Sequence, residues 1–299
     1  MKFFQSIFLL LLGLGFYNLS LQAQIKSTYT YKVVDGDSLK LDVYHPEIGS
    51  KLDSLPVVVW MHGGGFSGGS RDLPGAVHLM EYVTRRGYVG VSISYRLLRK
   101  GSETGFGCNC PKSEKLETFK QAAIDYLDAT NYIVERHSDF KIDPTKIIAA
   151  GNSAGAEGVL SAVYMKPFFL EDLQPYKNVT YSGVLSFSGA MVNAEYITFD
   201  NALPTVLYHG AIDELVPFSS GAHHLCGPED PGYLILDGSQ TIADRLETLE
   251  QSFFFKKVKN GGHEVNAIPF PELDEIFTFL ENTRGNPDII QTTKISVKQ

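Results

Sequence analysis

Short apolar runs and longer mixed stretches follow one another along this chain of 299 residues. The short runs are rich in β-branched and aromatic residues, as is typical of strands, whereas stretches such as 114–137 have the length of helices. Strands are predicted at 28–34, 39–45, 57–61, 89–95, 147–150, 183–187, 205–208 and 253–258. The turn Asp35-Gly36-Asp37 predicts that the first two form an antiparallel hairpin. The pattern therefore predicts an α/β fold, with a mostly parallel eight-stranded sheet, this hairpin at its edge and helices on both faces.

The segment Gly151-Asn152-Ser153-Ala154-Gly155 has the pattern G-x-S-x-G between a predicted strand and a stretch of small, helix-forming residues. This strand-turn-helix context is typical of a nucleophile elbow, in which the serine sits at a sharp, strained turn. The positions two before and two after the serine must be small, and here they are Gly151 and Gly155. Ser153 is therefore the predicted nucleophile. The alternative is a glycine-rich turn with an incidental serine.

A second glycine-rich segment, His62-Gly63-Gly64-Gly65-Phe66, follows the strand at 57–61. Consecutive glycines leave main-chain N–H groups free to point at a ligand. Acyl transfer needs such donors, because negative charge develops on the former carbonyl oxygen of the tetrahedral intermediate. We expect the amides of Gly64, Gly65 and Ala154 to form this oxyanion hole. Taken alone, the glycine run is also compatible with a flexible turn.

A serine hydroxyl needs a general base, and the base needs a group that orients it. Asp213 and His263 each lie on a loop that follows a predicted strand. In parallel sheets such loops gather beyond the carboxyl ends of the strands, so both side chains should converge on Ser153. The chain order Ser, Asp, His is that of α/β-hydrolases. Glu214 and Asp200 compete with Asp213 for the role of the acid.

Three other side chains near these motifs are interpreted as structural. Glu157 lies one helical turn after Ser153, where an acid stabilises a helix N-terminus, and it is left out of the site. His62 is expected to hold the glycine loop by a hydrogen bond, and His209 is expected to pack at the end of its strand.

From these residues, the chain resembles α/β-hydrolase-fold esterases of the hormone-sensitive-lipase-like and bacterial carboxylesterase group over roughly residues 56–280. The matching segments are His62–Phe66, Ser94-Tyr95-Arg96, Asp143-Pro144, Gly151–Gly155, Asp213 with Val216-Pro217, and Gly262-His263. Asn152, Ala156 and Glu157 depart from the pattern of many relatives, and the Asp213 segment looks like that of feruloyl-esterase-like and prolyl-oligopeptidase-like members. The resemblance implies ester hydrolysis through a covalent acyl-enzyme, with no cofactor and no metal.

Composition supports one catalytic domain and narrows its partners. With 43% hydrophobic residues the chain can bury a large core, and a single domain is predicted over 24–299. Roughly the last 15 residues are expected to form a tail. The formal net charge of −8 disfavours a nucleic-acid-binding role, which depends on Lys and Arg neutralising phosphates. The expected partner is a small-molecule or carbohydrate ester, and the oligomeric state is left open.

Residues 1–23 are predicted to be a signal peptide. Lys2 precedes an uncharged apolar stretch at 7–16, and cleavage is expected after Ala23. This stretch is shorter than the ~20 residues that a membrane-spanning helix needs, although an uncleaved anchor is the alternative. The mature protein is therefore expected to be exported, periplasmic or secreted, without stable insertion in the membrane.

Export would allow disulfides to persist, and the chain has three cysteines. Cys226 is predicted to pair with Cys108 or Cys110, because the loops that carry them leave the same end of the sheet. Two alternatives stay open, namely three free thiols and a zinc site that also uses His223 or His224.

The interval between Ser153 and Pro204 is too short for a large lid. An open pocket rimmed by the loops 97–111 and 219–238 is therefore expected, which favours short acyl chains because long ones would stay in water.

Two other functions share these motifs. They are a serine peptidase of the prolyl-oligopeptidase type, whose usual extra domain this chain lacks, and a non-catalytic α/β-hydrolase that only binds a ligand.

Overall fold

The computed structural model describes residues 25–46, 54–286 and 288–298, so the predicted signal peptide lies outside the described residues. The strands are β1 Ile25–Val34, β2 Asp37–His45, β3 Leu55–Met61, β4 Val89–Ile93, β5 Ile142–Asn152, β6 Gly183–Phe187, β7 Ala190–Met191, β8 Thr205–Gly210, β9 Ser220–Ala222, β10 Ile235–Gly238, β11 Phe253–Lys259 and β12 Gln291–Val297. The helices are α1 Pro74–Arg85, α2 Lys112–Glu135, α3 Ala154–Tyr164, α4 Lys166–Phe169, α5 Ser239–Thr248 and α6 Leu273–Thr283.

The main sheet has nine strands in the order β1-β2-β4-β3-β5-β6-β8-β11-β12. β2 runs antiparallel to both β1 and β4, and every other neighbouring pair is parallel. All eight predicted strands belong to this sheet, and the hairpin lies at its edge, so the predicted fold class is confirmed. The carboxyl ends of β3, β5, β8 and β11 lie along the same edge of the sheet, and the loops that follow them carry the predicted site residues.

The ninth strand corrects the sequence-based prediction of a tail. β12 pairs in parallel with β11 in the register Phe253 with Gln291 to Lys259 with Val297. Its side chains are mostly exposed, including Ile295 and Val297. An edge strand of this kind is held by backbone hydrogen bonds and buries little apolar surface, so its hydrophobic pattern is too weak to predict it.

A second, three-stranded sheet in the order β7-β10-β9 was not predicted. Two of its strands, β9 and β10, lie within the segment 219–238, which the sequence suggested to be a rim loop. Each has only a few residues, and strands this short leave no periodic signal.

Two apolar layers cover the main sheet, as the alternation in β3 shows. Val57, Val59 and Met61 point into the layer formed with α2, α3 and α5, whereas Val58 and Trp60 point into the layer formed with α1 and α6. Helices thus lie on both faces, as predicted. Between α3 and β8 the chain forms only α4, β6, β7 and short 3-10 turns, which leaves no lid domain there. None of the helices in the described ranges is long and apolar enough to cross a membrane.

Candidate active site

Ser153 lies at the sharp turn between β5 and α3. Its backbone has φ 50° and ψ −128°, a left-handed conformation that a residue with a side chain rarely adopts. A Cβ atom on Gly155 would overlap the carbonyl oxygens of Met61 and His62, and one on Gly151 would overlap the backbone of Gly155. The glycines of the motif are therefore required by close backbone contacts, and the turn presents Ser153 beyond the end of the sheet.

The structure brings Ser153, His263 and Asp213 together. The Oγ atom of Ser153 lies 2.8 Å from Nε2 of His263. The Nδ1 atom of the same ring lies 2.7 Å from Oδ2 of Asp213. With its proton on Nδ1, the ring donates a hydrogen bond to the carboxylate, and Nε2 is left to accept the serine proton. Both distances fall in the range that general-base catalysis requires.

Asp213 is held by its own loop and by a second histidine. Its Oδ1 atom accepts hydrogen bonds from the amides of Leu215 and Val216, at 2.9 and 3.0 Å. Burial raises the pKa of Asp213, but interactions with His209 and His263 outweigh that effect and hold it well below the usual range. The competing acids, Glu214 and Asp200, are exposed and do not contact His263.

His209 does more than pack at the end of β8. It is fully buried, its Nδ1 lies 2.8 Å from the Ser239 hydroxyl, and its Nε2 lies 3.3 Å from Oδ2 of Asp213. Asp213 therefore has a histidine on each side, and His209 helps to fix the acid that faces His263.

The glycine loop presents unused donors to the same space. Gly64 and Gly65 have φ values of +125° and +59°. Within the described part of the chain, no hydrogen bond uses the amides of Gly64, Gly65 or Ala154.

Nδ1 of His62 lies 2.8 Å from the carbonyl oxygen of Gly63, so His62 contacts the loop that it was expected to hold. Burial lowers the pKa of His62, which favours the neutral ring.

Two asparagines connect the loops of the site, a link that sequence analysis missed. Asn152 accepts a hydrogen bond from the Gly63 amide at 2.8 Å and donates to Oδ1 of Asn266 at 2.9 Å. Asn266 in turn donates to the carbonyl oxygen of His263. The only sequence signal was that Asn152 stands where many relatives carry an acid. The chain of amides ties the glycine loop and the histidine loop to the nucleophile turn.

Ser153 and His263 lie in the wall of a cavity of about 980 Å³, which the glycine loop also lines. The predicted rim contributes Phe106, His223 and His224. Much of the remaining wall comes from residues 73–76 and 266–270, which were not predicted to form the rim. Leu73, Leu215 and Phe270 are partly exposed, so the cavity reaches the surface between them.

Glu157 lies in the first turn of α3, as the helix-dipole interpretation expected, but it is not only a helix-terminus residue. Its side chain is buried, lines the cavity and lies 3.3 Å from Nε2 of the buried His223. The helix-dipole interpretation left it out of the site, and no residue close to it in the chain points to His223.

The structure joins Cys108 and Cys226 in a disulfide, and Cys110 is a buried free thiol. The sequence left open whether Cys226 pairs with Cys108 or with Cys110, and the structure selects Cys108. The carboxylate of Asp230 lies near both sulfur atoms, but sulfurs joined in a disulfide are not the thiolates that zinc binds.

Peptide mapping without reduction, on protein produced in an oxidising compartment, is expected to yield one linked pair of fragments, which contain Cys108 and Cys226. Because the bridge closes a separation of 118 residues, Cys226→Ser should lower the free energy of unfolding by about 2–4 kcal/mol. Cys110→Ser is the control and should leave the linkage intact. Three thiols that react with an alkylating agent in the unfolded, unreduced protein would contradict the bridge.

Comparisons with known proteins agree with this architecture. Residues 41–189 match the family model described as BD-FAE. Gut esterase 1 of Caenorhabditis briggsae is 32% identical over 171 residues, which cover 57% of this chain and 28% of that protein. Phenmedipham hydrolase of Pseudarthrobacter oxydans is 33% identical over 126 residues, which cover 42% of this chain and 23% of that protein. The matched segments thus span less than a third of these curated relatives.

The structure is also similar to that of Thermogutta terrifontis esterase 2 phosphorylated by paraoxon. The TM-score is 0.60 at 18% sequence identity, with 86% of this chain and 90% of that chain covered. This likeness shows the fold. The α/β-hydrolase fold that the motifs suggested is thus confirmed, and residues 41–189 are similar to the BD-FAE family and to proteins named as esterases.

Proposed function

We propose that this protein hydrolyses carboxylic esters with short acyl chains through a covalent intermediate on Ser153. The observation that carries the proposal is the hydrogen-bonded series Ser153, His263 and Asp213. Ser153 and His263 line the same cavity as Gly64, Gly65 and Ala154, whose amides make no hydrogen bond in the described structure. Such an arrangement supplies an activated nucleophile, a base with a fixed tautomer and donors for an oxyanion. No step requires a cofactor or a metal.

In the first half of the reaction, Oγ of Ser153 attacks the ester carbonyl carbon while Nε2 of His263 accepts the hydroxyl proton. Negative charge moves to the carbonyl oxygen, where the amides of Gly64, Gly65 and Ala154 can donate to it. When the tetrahedral intermediate collapses, the carbon–oxygen bond to the alcohol breaks. His263 donates its proton to the departing oxygen, and the acyl group stays on Ser153.

Water completes the cycle by the same route. His263 accepts a proton from the water molecule as its oxygen attacks the acyl carbon, and a second tetrahedral intermediate uses the same amides. Its collapse releases the carboxylic acid and returns the proton from His263 to Oγ of Ser153. Throughout, the Asp213 carboxylate orients the ring and stabilises the imidazolium.

The proposal of short acyl chains depends on the absence of a lid domain between α3 and β8 in the described structure. A capped tunnel would bury each added methylene for about 0.8 kcal/mol, whereas a cavity that opens to solvent gains little from a long chain. Thermogutta terrifontis esterase 2, which shares the fold, has structures with propionate and with butyrate bound. A series of 4-nitrophenyl esters from acetate to palmitate is therefore expected to give the highest kcat/KM at four carbons or fewer.

A maximum at twelve carbons or more in that series would contradict the open cavity. Because 4-nitrophenyl esters are unusually reactive, each acid is also tested as its methyl ester, which should give the same order of preference. Amides of the preferred acid, and dipeptide amides, serve as a second comparison. Faster hydrolysis of amides than of esters would favour a serine peptidase instead.

The alcohol part is proposed to be a carbohydrate, so that the natural substrate is an acetylated or feruloylated sugar. Support comes from the open cavity, which leaves room for a bulky alcohol, and from the Asp213 segment, which looks like that of feruloyl-esterase-like proteins.

We also propose that the protein is exported, because residues 1–23 have the pattern of a signal peptide and a disulfide is stable in an oxidising compartment.

A further inference from the structure

Glu157 and His223 form a buried acid–imidazole pair in the wall of the active-site cavity. Glu157 lies on α3, one turn after Ser153, and His223 lies between β9 and β10. The exposed fractions of the two residues are 2% and 0%. Oε1 of Glu157 lies 3.3 Å from Nε2 of His223, and both residues line the cavity that contains Ser153. The mechanism proposed above uses neither side chain.

Three of the four side-chain polar atoms of this pair lack hydrogen bonds in the described structure. Although Glu157 and His223 are close enough for an ion pair, no hydrogen bond reaches Oε1 of Glu157 or either ring nitrogen of His223 in the described structure. Buried polar groups almost always have partners, and one left without a partner costs about 1–3 kcal/mol. Both residues line the cavity, so these buried, unsatisfied atoms indicate a place where a polar group of a ligand binds.

The pair is held in position by its surroundings. The amide of Glu157 donates to the carbonyl oxygen of Ser153 at 3.0 Å, and the amide of His223 donates to that of Leu234 at 2.9 Å. Three residues after His223, Cys226 is joined to Cys108 by the disulfide. The two side chains are thus presented by elements that are fixed before a ligand arrives, which lowers the entropic cost of binding.

Aromatic rings surround the histidine. The ring centre of Phe106, which also lines the cavity, lies 5.2 Å from that of His223, and the ring centre of Phe119 lies 6.1 Å from it. Hydrogen bonds are stronger in such apolar surroundings than in water. The site therefore combines two phenylalanine rings, and the imidazole of His224 with its centre 4.3 Å from that of His223, with one acidic and one basic group side by side.

We propose that Glu157 and His223 bind a hydroxyl group of the ester substrate. A hydroxyl can donate to the carboxylate and accept from, or donate to, the imidazole, so it satisfies both members of the pair at once. This inference rests on the proposed ester hydrolysis and adds a determinant of specificity to it. The hydroxyl belongs either to a phenolic acyl group or to a sugar alcohol, and both present the same chemistry to the pair.

Two pairs of esters separate these sources. Methyl 4-hydroxycinnamate is compared with methyl cinnamate, and methyl 6-O-acetylglucoside is compared with cyclohexylmethyl acetate. In one of the two comparisons the wild-type protein should have the higher kcat/KM for the hydroxylated ester. Glu157→Gln should reduce that preference about tenfold, because a charge-assisted hydrogen bond is replaced by a neutral one. His223→Gln should reduce the preference in the same comparison.

Glu135→Gln, a change of the same kind at an exposed position of α2, should leave the preference unchanged. Hydrolysis of 4-nitrophenyl acetate is measured in parallel as a readout of the proposed function alone. If the wild-type protein hydrolyses this ester but prefers neither hydroxylated substrate, the inference fails and the proposed function stands. Equal losses on both members of each pair in Glu157→Gln and His223→Gln would show a structural role and would also overturn it. Failure to hydrolyse any ester would contradict both.

Discussion

Replacing Ser153 or His263 by alanine is expected to lower kcat by roughly 10⁴- to 10⁶-fold on any ester that the protein hydrolyses. The reason is that Oγ of Ser153 and Nε2 of His263 share one hydrogen bond of 2.8 Å, and neither group does its work without the other. The double variant should therefore be no worse than the poorer single one. Steady-state kinetics, with thermal unfolding to verify the fold, measure the effect.

Ser188→Ala provides a matched control. Ser188 has the same unusual φ of 50° as Ser153 and follows the neighbouring strand β6, but its buried hydroxyl has no hydrogen-bond partner in the described structure. This variant should keep its activity within about threefold, in the range expected away from the catalytic group. More than about a hundredth of the wild-type activity in Ser153→Ala or His263→Ala would contradict their assigned roles.

Asp213→Asn is expected to lower kcat by about 10⁴-fold with the fold intact. Asn has nearly the size of Asp, but its amide can donate a hydrogen bond to Nδ1 of His263. That bond would favour the tautomer with the proton on Nε2, which cannot accept the proton of Ser153. The substitution also removes the negative charge that stabilises the imidazolium.

Glu214→Gln and Asp200→Asn test whether another acid, rather than Asp213, orients His263. Both carboxylates are exposed, and Glu214 is the neighbour of Asp213 in the chain, so each variant changes the local charge without touching His263. Each should keep its activity within about threefold. A larger loss in either of them than in Asp213→Asn would mean that the wrong acid has been named.

The features that sequence predicted are those encoded locally. The eight predicted strands of the main sheet have recognisable apolar runs, and Ser153 could be identified because its strand, turn and helix are contiguous. The proximity of the loops that carry Asp213 and His263 could be predicted, because neighbouring parallel strands end at the same edge of a sheet. The close contact of Gly155 with the carbonyl oxygens of Met61 and His62 explains why the motif alone carried so much information.

The features that sequence missed depend on distant contacts. Glu157 was interpreted as a helix-terminus acid because nothing in its neighbourhood points to His223, and Asn152 gave no sign of Asn266. Cys108 and Cys110 are two residues apart, so their spacing could not decide which of them reaches Cys226. β12 escaped prediction for a different reason, since its stability comes from backbone pairing with β11 rather than from buried side chains.

Covalent labelling of the nucleophile tests the central claim most directly. A fluorophosphonate probe reacts with an activated serine hydroxyl and forms a stable phosphonyl ester that mass spectrometry can locate. The wild-type protein should carry one label, on the peptide that contains Ser153, and pretreatment with a substrate ester should slow the reaction. Ser153→Ala should not be labelled, and Ser188→Ala should be labelled like the wild type. A folded wild-type protein that stays unmodified, or a label on any residue other than Ser153, would contradict the account.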